Sequence, residues 1–525
     1  MTDTISAATL KRWLHDGQEI ALFDVREHGQ YGEGHPLYAV PLPYSVLERD
    51  IGRLAPNRRV RIVVLDDDGE GAALSAAARL AALGYTSVQV LAGGTRAWQA
   101  AGFVLFKGVN VPSKAFGELV ETVSHTPHVS VQTLLEWQQA GTPLVVLDGR
   151  PFSEYRTMSI PGAACCPNGE LAYRIDAFVD DERTPVVINC AGRTRSIIGA
   201  QTLRNLGIRN PVYALENGTQ GWLLADLPLE HGQQHRYRDD VQPLAERRVA
   251  ARALAVRAGV QWADAQTVRD WTNAGERTVY LCDVRTPEEF AARTLPGAQH
   301  APGGQLQQAT DQYIGVRNAR VVVFDDDGIR APVTASWLRQ LGHEAWVLTG
   351  GLDSGLALPD TRVPDPAALP VIDAGTFAQR VAEGSAAVVD LRSSAAWLDG
   401  HVPGSRWSIR PRLAATLAGA PQHVTLVADD PRLAAWAVAD LAEAGRHSFT
   451  VLDGGLTAWR AQGGEVHQAP DALAAAERID FLFFVHDRHT GNKAASREYL
   501  AWELGLVAQL DDDERGGFRP LEAAS

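Results

Sequence analysis

The sequence predicts an α/β protein of four tandem units, each a mostly parallel β-sheet with helices on both faces. Three observations predict it. An acidic-x-basic triplet closes an apolar strand four times, as Asp24-Val25-Arg26, Asp148-Gly149-Arg150, Asp283-Val284-Arg285 and Asp390-Leu391-Arg392. A second apolar run follows each triplet, at 62–65, 186–188, 321–324 and 424–427. Continuous apolar runs, rather than alternating ones, suit strands buried on both faces. Each run then turns into a helical pattern ending near a glycine, at Gly84, Gly207, Gly342 and Gly445. Self-similarity of this kind is the mark of a repeated unit, and strands alternating with helices make βα units with parallel neighbours.

The units span 1–108, 124–232, 256–364 and 369–468, and each opens with a helical pattern. After the triplet, three of them carry a Pro-Gly turn, at Pro161-Gly162, Pro296-Gly297 and Pro403-Gly404, and unit one has a loose counterpart near His35-Pro36. Each ends on a short strand and a tight turn: Gly93-Gly94, Asn217-Gly218, Gly350-Gly351 and Gly454-Gly455. Trp98, Trp222 and Trp459 follow three of these turns. Segment 233–255 begins polar and then reads as a linker helix from Leu244 to Arg252. Residues 469–525 form a tail outside the repeat. It has a strand-like run, Phe481-Leu482-Phe483-Phe484-Val485, and a helix from Asn492 to Gln509 bearing Tyr499, Trp502 and Leu504. The acidic end, Asp511 to Arg515, is expected to be solvated and mobile.

A chain of 525 residues exceeds one hydrophobic core. Its net charge of −14 argues against nucleic acid as the main partner. No apolar run reaches the length of a membrane span, and the first residues lack the basic and apolar regions of a signal peptide. The expectation is a cytoplasmic protein without a membrane partner. Four cysteines, Cys165, Cys166, Cys190 and Cys282, are too few for a disulfide framework, and none has metal-ligand spacing with a histidine. No metal or cofactor is expected. The adjacent Cys165 and Cys166 read as small residues in a turn, and Cys282 as core.

Cys190 stands apart. A buried strand runs into it, and a helix starting near Ser196 runs out of it. The start of a helix presents unpaired N–H groups and a positive dipole end, which favour a thiolate. Arg193 and Arg195 add two positive charges within five residues. This combination suits a sulfur nucleophile that receives an anionic substrate.

The repeat resembles the rhodanese homology domain over nearly all of the chain except linkers and tail. Unit two matches best, through Asp148-x-Arg150, Ile160-Pro161-Gly162-Ala163 and the loop Cys190-Ala191-Gly192-Arg193-Thr194-Arg195. The resemblance implies a thiosulfate sulfurtransferase in which Cys190 takes up a sulfane sulfur as a persulfide. The loop Ala191, Gly192, Arg193, Thr194, Arg195 and Ser196 would cradle a small anionic donor, with Arg156 and Arg174 as equally weaker candidates. A thiol or cyanide would accept the sulfur. Asp148 and Arg150 recur in every unit and read as a structural ion pair.

Aligning the turn glycines puts Asp67 and Asp326 at the cysteine position of units one and three, and Asp429 or Ala428 there in unit four. A carboxylate cannot act as a sulfur nucleophile and repels an anion, so these units are expected to be non-catalytic. Two alternatives belong to other classes. A phosphatase would need a Cys-x5-Arg loop, whereas the arginines here lie three and five residues after Cys190 and Ser196 is sixth. A non-enzymatic persulfide carrier or interaction scaffold would use Cys190 only to store or relay sulfur. Assembly into a homo-oligomer stays open.

Overall fold

The computed structural model describes residues 3–384, 387–441, 447–489 and 491–522. Gly445, expected at the end of a helix, lies outside the described residues. Four separate five-stranded sheets share one strand order, and every strand pair in them is parallel. In unit two the neighbours run His128–Val129, Val212–Leu215, Val186–Asn189, Val145–Asp148 and Ala164–Cys165. The central strand Val186–Asn189 is buried along its length, as its unbroken apolar run requires.

Local chemistry repeats with the fold. The opening helix of each unit is capped by a side chain that accepts the N–H of a threonine three residues on. The caps are Ser6 to Thr9, Ser130 to Thr133, Asp264 to Thr267 and Asp373 to Thr376, at 2.8–3.2 Å. Each triplet folds back on itself. Arg150 donates to both Asp148 oxygens at 2.9 and 2.7 Å and to the Met158 carbonyl at 2.7 Å. Arg26, Arg285 and Arg392 do the same, each also reaching a carbonyl eight residues on. These buried forks tie a strand end to the end of the next helix and satisfy a charge that the sheet has removed from water. Trp98, Trp222 and Trp459 are buried, and each indole donates to a carbonyl six residues later.

Strand register fixes equivalent positions. Asp148 pairs with Asn189, Asp24 with Leu65, Asp283 with Phe324 and Asp390 with Val427. The residue after each central strand is therefore Cys190, Asp66, Asp325 or Ala428. This corrects the expectation of Asp67 and Asp326, which stand one residue later, where unit two has Ala191. Their carboxylates instead take Arg26 and Arg285 of the triplets at 2.9 and 3.0 Å.

The units pack closely. One apolar core runs through units one and three, and another joins units two and three with the helix Val111–Ser124. The linker helix forms over Ala245–Arg257 and packs on Arg330–Gln340. Arg330 of unit three bonds Glu170 of unit two, and Arg410 of unit four bonds Glu48 of unit one at 2.6 Å.

The tail departs from expectation twice. The run Phe481–Val485 is not a strand; helix forms over Phe483–His486, and its apolar side chains lie against other rings and unit one rather than a sheet edge. The acidic end is exposed at Asp511, Asp512, Asp513 and Arg515 as expected, but it is tied down. Asp512–Arg515 is a helical turn, and Asp511 and Glu514 hold Lys11 of unit one at 2.5 and 2.8 Å. Between them the helix Lys493–Leu504 reaches back to unit two.

Candidate active site

Cys190 ends the central strand of unit two and is only 2% exposed. The chain then turns through Ala191 and Gly192 into a helix over Thr194–Asn205. Asn217 and Gly218, both left-handed, press the neighbouring turn against this loop. Thr219 N–H donates to the Cys190 carbonyl at 2.8 Å and Gln220 N–H to that of Ala191 at 3.1 Å. A Cβ on Gly218 would lie 2.2 Å from the Cys190 oxygen, so only glycine fits.

The equivalent loops of units one and three are filled by their own aspartates. Asp66 accepts the N–H groups of Asp68, Gly69 and Ala73 at 3.2, 2.6 and 2.9 Å. Asp325 accepts those of Gly328, Ile329 and Ala331 at 3.0, 3.1 and 2.8 Å. Each carboxylate sits where a loop of N–H groups at a helix start would bind an anion. In unit two no side chain caps the helix Thr194–Asn205.

Both loop arginines are held by carboxylates. Arg193 forks onto Glu118 at 2.8 and 2.9 Å and also bonds Glu121, both on the helix Val111–Ser124. Arg195 forks onto Glu154 at 2.8 Å on each arm. The same pair recurs in unit three as Arg330 with Glu289. Glu118 is nevertheless pushed up to about 6, because burial, with Glu503 and Glu121 nearby, outweighs the pull of Arg193. Arg156 is exposed and lies over the Phe152 ring at 5.8 Å. Arg174 is buried in structural contacts with Glu170 at 2.7 Å and the Arg238 carbonyl at 2.6 Å. The other thiols are core: burial pushes Cys165 and Cys282 up to about 12 and raises Cys166 well above the usual thiol range.

A family model described as the rhodanese-like domain matches residues 6–101, 130–225, 264–357 and 373–462. The chain belongs to the rhodanese-like family. A thiosulfate sulfurtransferase from Pseudomonas aeruginosa is 41% identical, with a TM-score of 0.91, over 99% of this chain and 100% of that one. A rhodanese-related protein from Thermoplasma volcanium is 24% identical over 20% of this chain and 97% of its own, with a TM-score of 0.18. A rhodanese-like domain from Anabaena sp. is 23% identical over 20% and 84%, also with a TM-score of 0.18. No curated protein matches. No helix among the described residues is long and apolar enough to cross a membrane.

Some residues around the rhodanese-like loop escape the sequence reading. Lys114, Glu118 and Glu121 come from a helix between units, and Tyr499 and Glu503 from the tail. Thr194 donates to Glu503 at 2.7 Å, and a Cβ on Gly192 would lie 2.9 Å from the other Glu503 oxygen. The spacing Lys114-x3-Glu118 puts both charges on one helical face, but nothing local ties it to Cys190.

Proposed function

We propose that this rhodanese-like protein is a sulfurtransferase working through Cys190. The Cys190 thiolate attacks the outer sulfur of thiosulfate or a similar anionic donor. The donor S–S bond breaks, sulfite leaves with the electron pair, and a persulfide remains on Cys190. A thiol or cyanide then attacks the outer persulfide sulfur, and the Cys190 thiolate is the leaving group. The loop N–H groups from Gly192 to Ser196 form the donor cradle, while Arg193 and Arg195, braced by carboxylates, fix its shape. Units one, three and four are non-catalytic: the Asp66 and Asp325 side chains fill their own loops, and Ala428 offers no nucleophile.

The observation that carries this reading is the contrast between equivalent loops, two filled by a carboxylate and one bearing a cysteine. The Pseudomonas relative supports thiosulfate as donor. The test is intact mass after incubation with thiosulfate: one added sulfur on the parent and none on Cys190→Ser. A Cys190→Ser protein that still turns over thiosulfate would defeat the mechanism. Three units of four without a cysteine at the loop favour a second reading, a non-enzymatic persulfide carrier or interaction scaffold; steady-state turnover of thiosulfate with cyanide separates the two.

A further inference from the structure

One buried cation beside the Cys190 loop comes from outside the repeat. Arg193 and Arg195 are committed to Glu118, Glu121 and Glu154. Lys114, on the helix Val111–Ser124, is 5% exposed and makes no ion pair among the described residues. Its ammonium donates to the Tyr499 hydroxyl, a neutral partner, and lies 4.6 Å and 5.2 Å from the centres of the Tyr499 and Trp502 rings. These rings belong to the tail helix that covers the catalytic loop. On the same helix, Glu503 is 1% exposed; one oxygen accepts from Thr194, and the other faces Gly192 without a hydrogen-bond partner.

We propose that Lys114, held in place by the C-terminal tail, is a positioning residue whose ammonium balances the negative sulfur of Cys190, with Glu503 opposing it. The inference rests on Cys190 being the sulfur-accepting thiol. Tyr499 is in hydrogen-bond contact with Lys114, and the charges acting on Lys114 are those of Glu503 and Arg488 of the tail and Arg195 and Cys190 of the loop; Glu118 and Glu121 on its own helix are turned to Arg193. Burial lowers Lys114 to about 7, with Glu503 pulling the other way, so its proton is exchangeable near neutrality. In the proposed role the same ammonium serves both the Cys190 thiolate and the persulfide that replaces it. No residue of the repeat itself supplies this cation, and the tail that fixes it lies outside every unit.

The experiment is the pH profile of Cys190 alkylation by iodoacetamide in the full chain, read at the Cys190 peptide by mass spectrometry. Lys114→Met is expected to slow alkylation about tenfold near neutral pH, and Lys114→Arg to restore most of the rate. Glu503→Gln keeps the acceptor for Thr194 but removes the charge, and is expected to speed alkylation. A merely structural disturbance would move Lys114→Met and Glu503→Gln in the same direction. That result, or an unchanged profile in Lys114→Met, overturns the inference. Alkylation needs no sulfur donor, so its outcome is distinct from failure of the sulfur-transfer reading, which is a parent protein that gains no sulfur from thiosulfate.

Discussion

Glu118 is a carboxyl that burial has made a weaker acid than usual, and it shares Arg193 with Glu121. Because its folded value is raised to about 6, it takes up a proton at a higher pH than a free glutamate. As pH falls through that value, Arg193 loses one anionic partner and is freer to meet a substrate anion. Thiosulfate should therefore bind the Cys190→Ser protein more tightly below about pH 6 than above it. Calorimetric titration across that range checks this, and Glu118→Gln should flatten the dependence. Affinity that does not change with pH would mean that Arg193 never leaves its carboxylates. Arg195 differs: its fork to Glu154 recurs as Arg330 with Glu289 in a unit without a cysteine at the loop. That recurrence marks it first as a brace for the loop. Arg195→Ala should slow persulfide formation together with a lower melting temperature, rather than weaken donor binding alone.

The loop between central strand and helix is the element on which the units diverge. The aspartate of unit one bonds three N–H groups from a buried position, so Asp66→Ala should cost about 1.5–3 kcal/mol of stability. Denaturant unfolding would show it as a lower midpoint. Asp66→Cys in a Cys190→Ser background should gain no sulfur from thiosulfate, since Glu70 lies in that loop and unit one has no counterpart of Arg193. Persulfide on the introduced thiol at the parent rate would show that only the nucleophile was missing. The strands, the triplets and the cysteine loop are legible because each is a short-range pattern. The offset by one residue at Asp67 and Asp326 arises because turn glycines are a false anchor. The fixed points are the strand ends, and the loops differ in length: Asp66 reaches Ala73, whereas Asp325 reaches Ala331. The run Phe481–Val485 reads as a strand for a related reason. Five apolar residues satisfy a strand or a helix equally, and only the partner decides.

Across the whole molecule, buried ions join units that the chain places far apart. Arg410 of unit four is buried against Glu48 and Asp440, and Glu48 also takes Arg79 at 2.6 Å. Arg410→Ala would leave the buried Glu48 with Arg79 alone and remove the tie to unit four, at a cost of about 1.5–3 kcal/mol. The expected outcome is earlier unfolding of units one and four, read by limited proteolysis, with unit two still able to take up sulfur. None of these long contacts is legible in the sequence. A lysine between units and a glutamate in the tail carry no local sign that they come together beside the Cys190 loop, and their spacing of hundreds of residues obeys no period.

The aspartates of units one and three make each of those loops a receptor permanently occupied by its own sequence. Such a receptor has no vacancy to maintain and no competition from ions in solution. In the proposed reaction unit two alone keeps its cradle open for a guest that comes and goes, enclosed by neighbours whose own loops are filled. A repeated unit whose loop is filled in this way is not an idle passenger. It is a more self-sufficient version of the same fold, free to act as masonry around the one copy that must stay receptive.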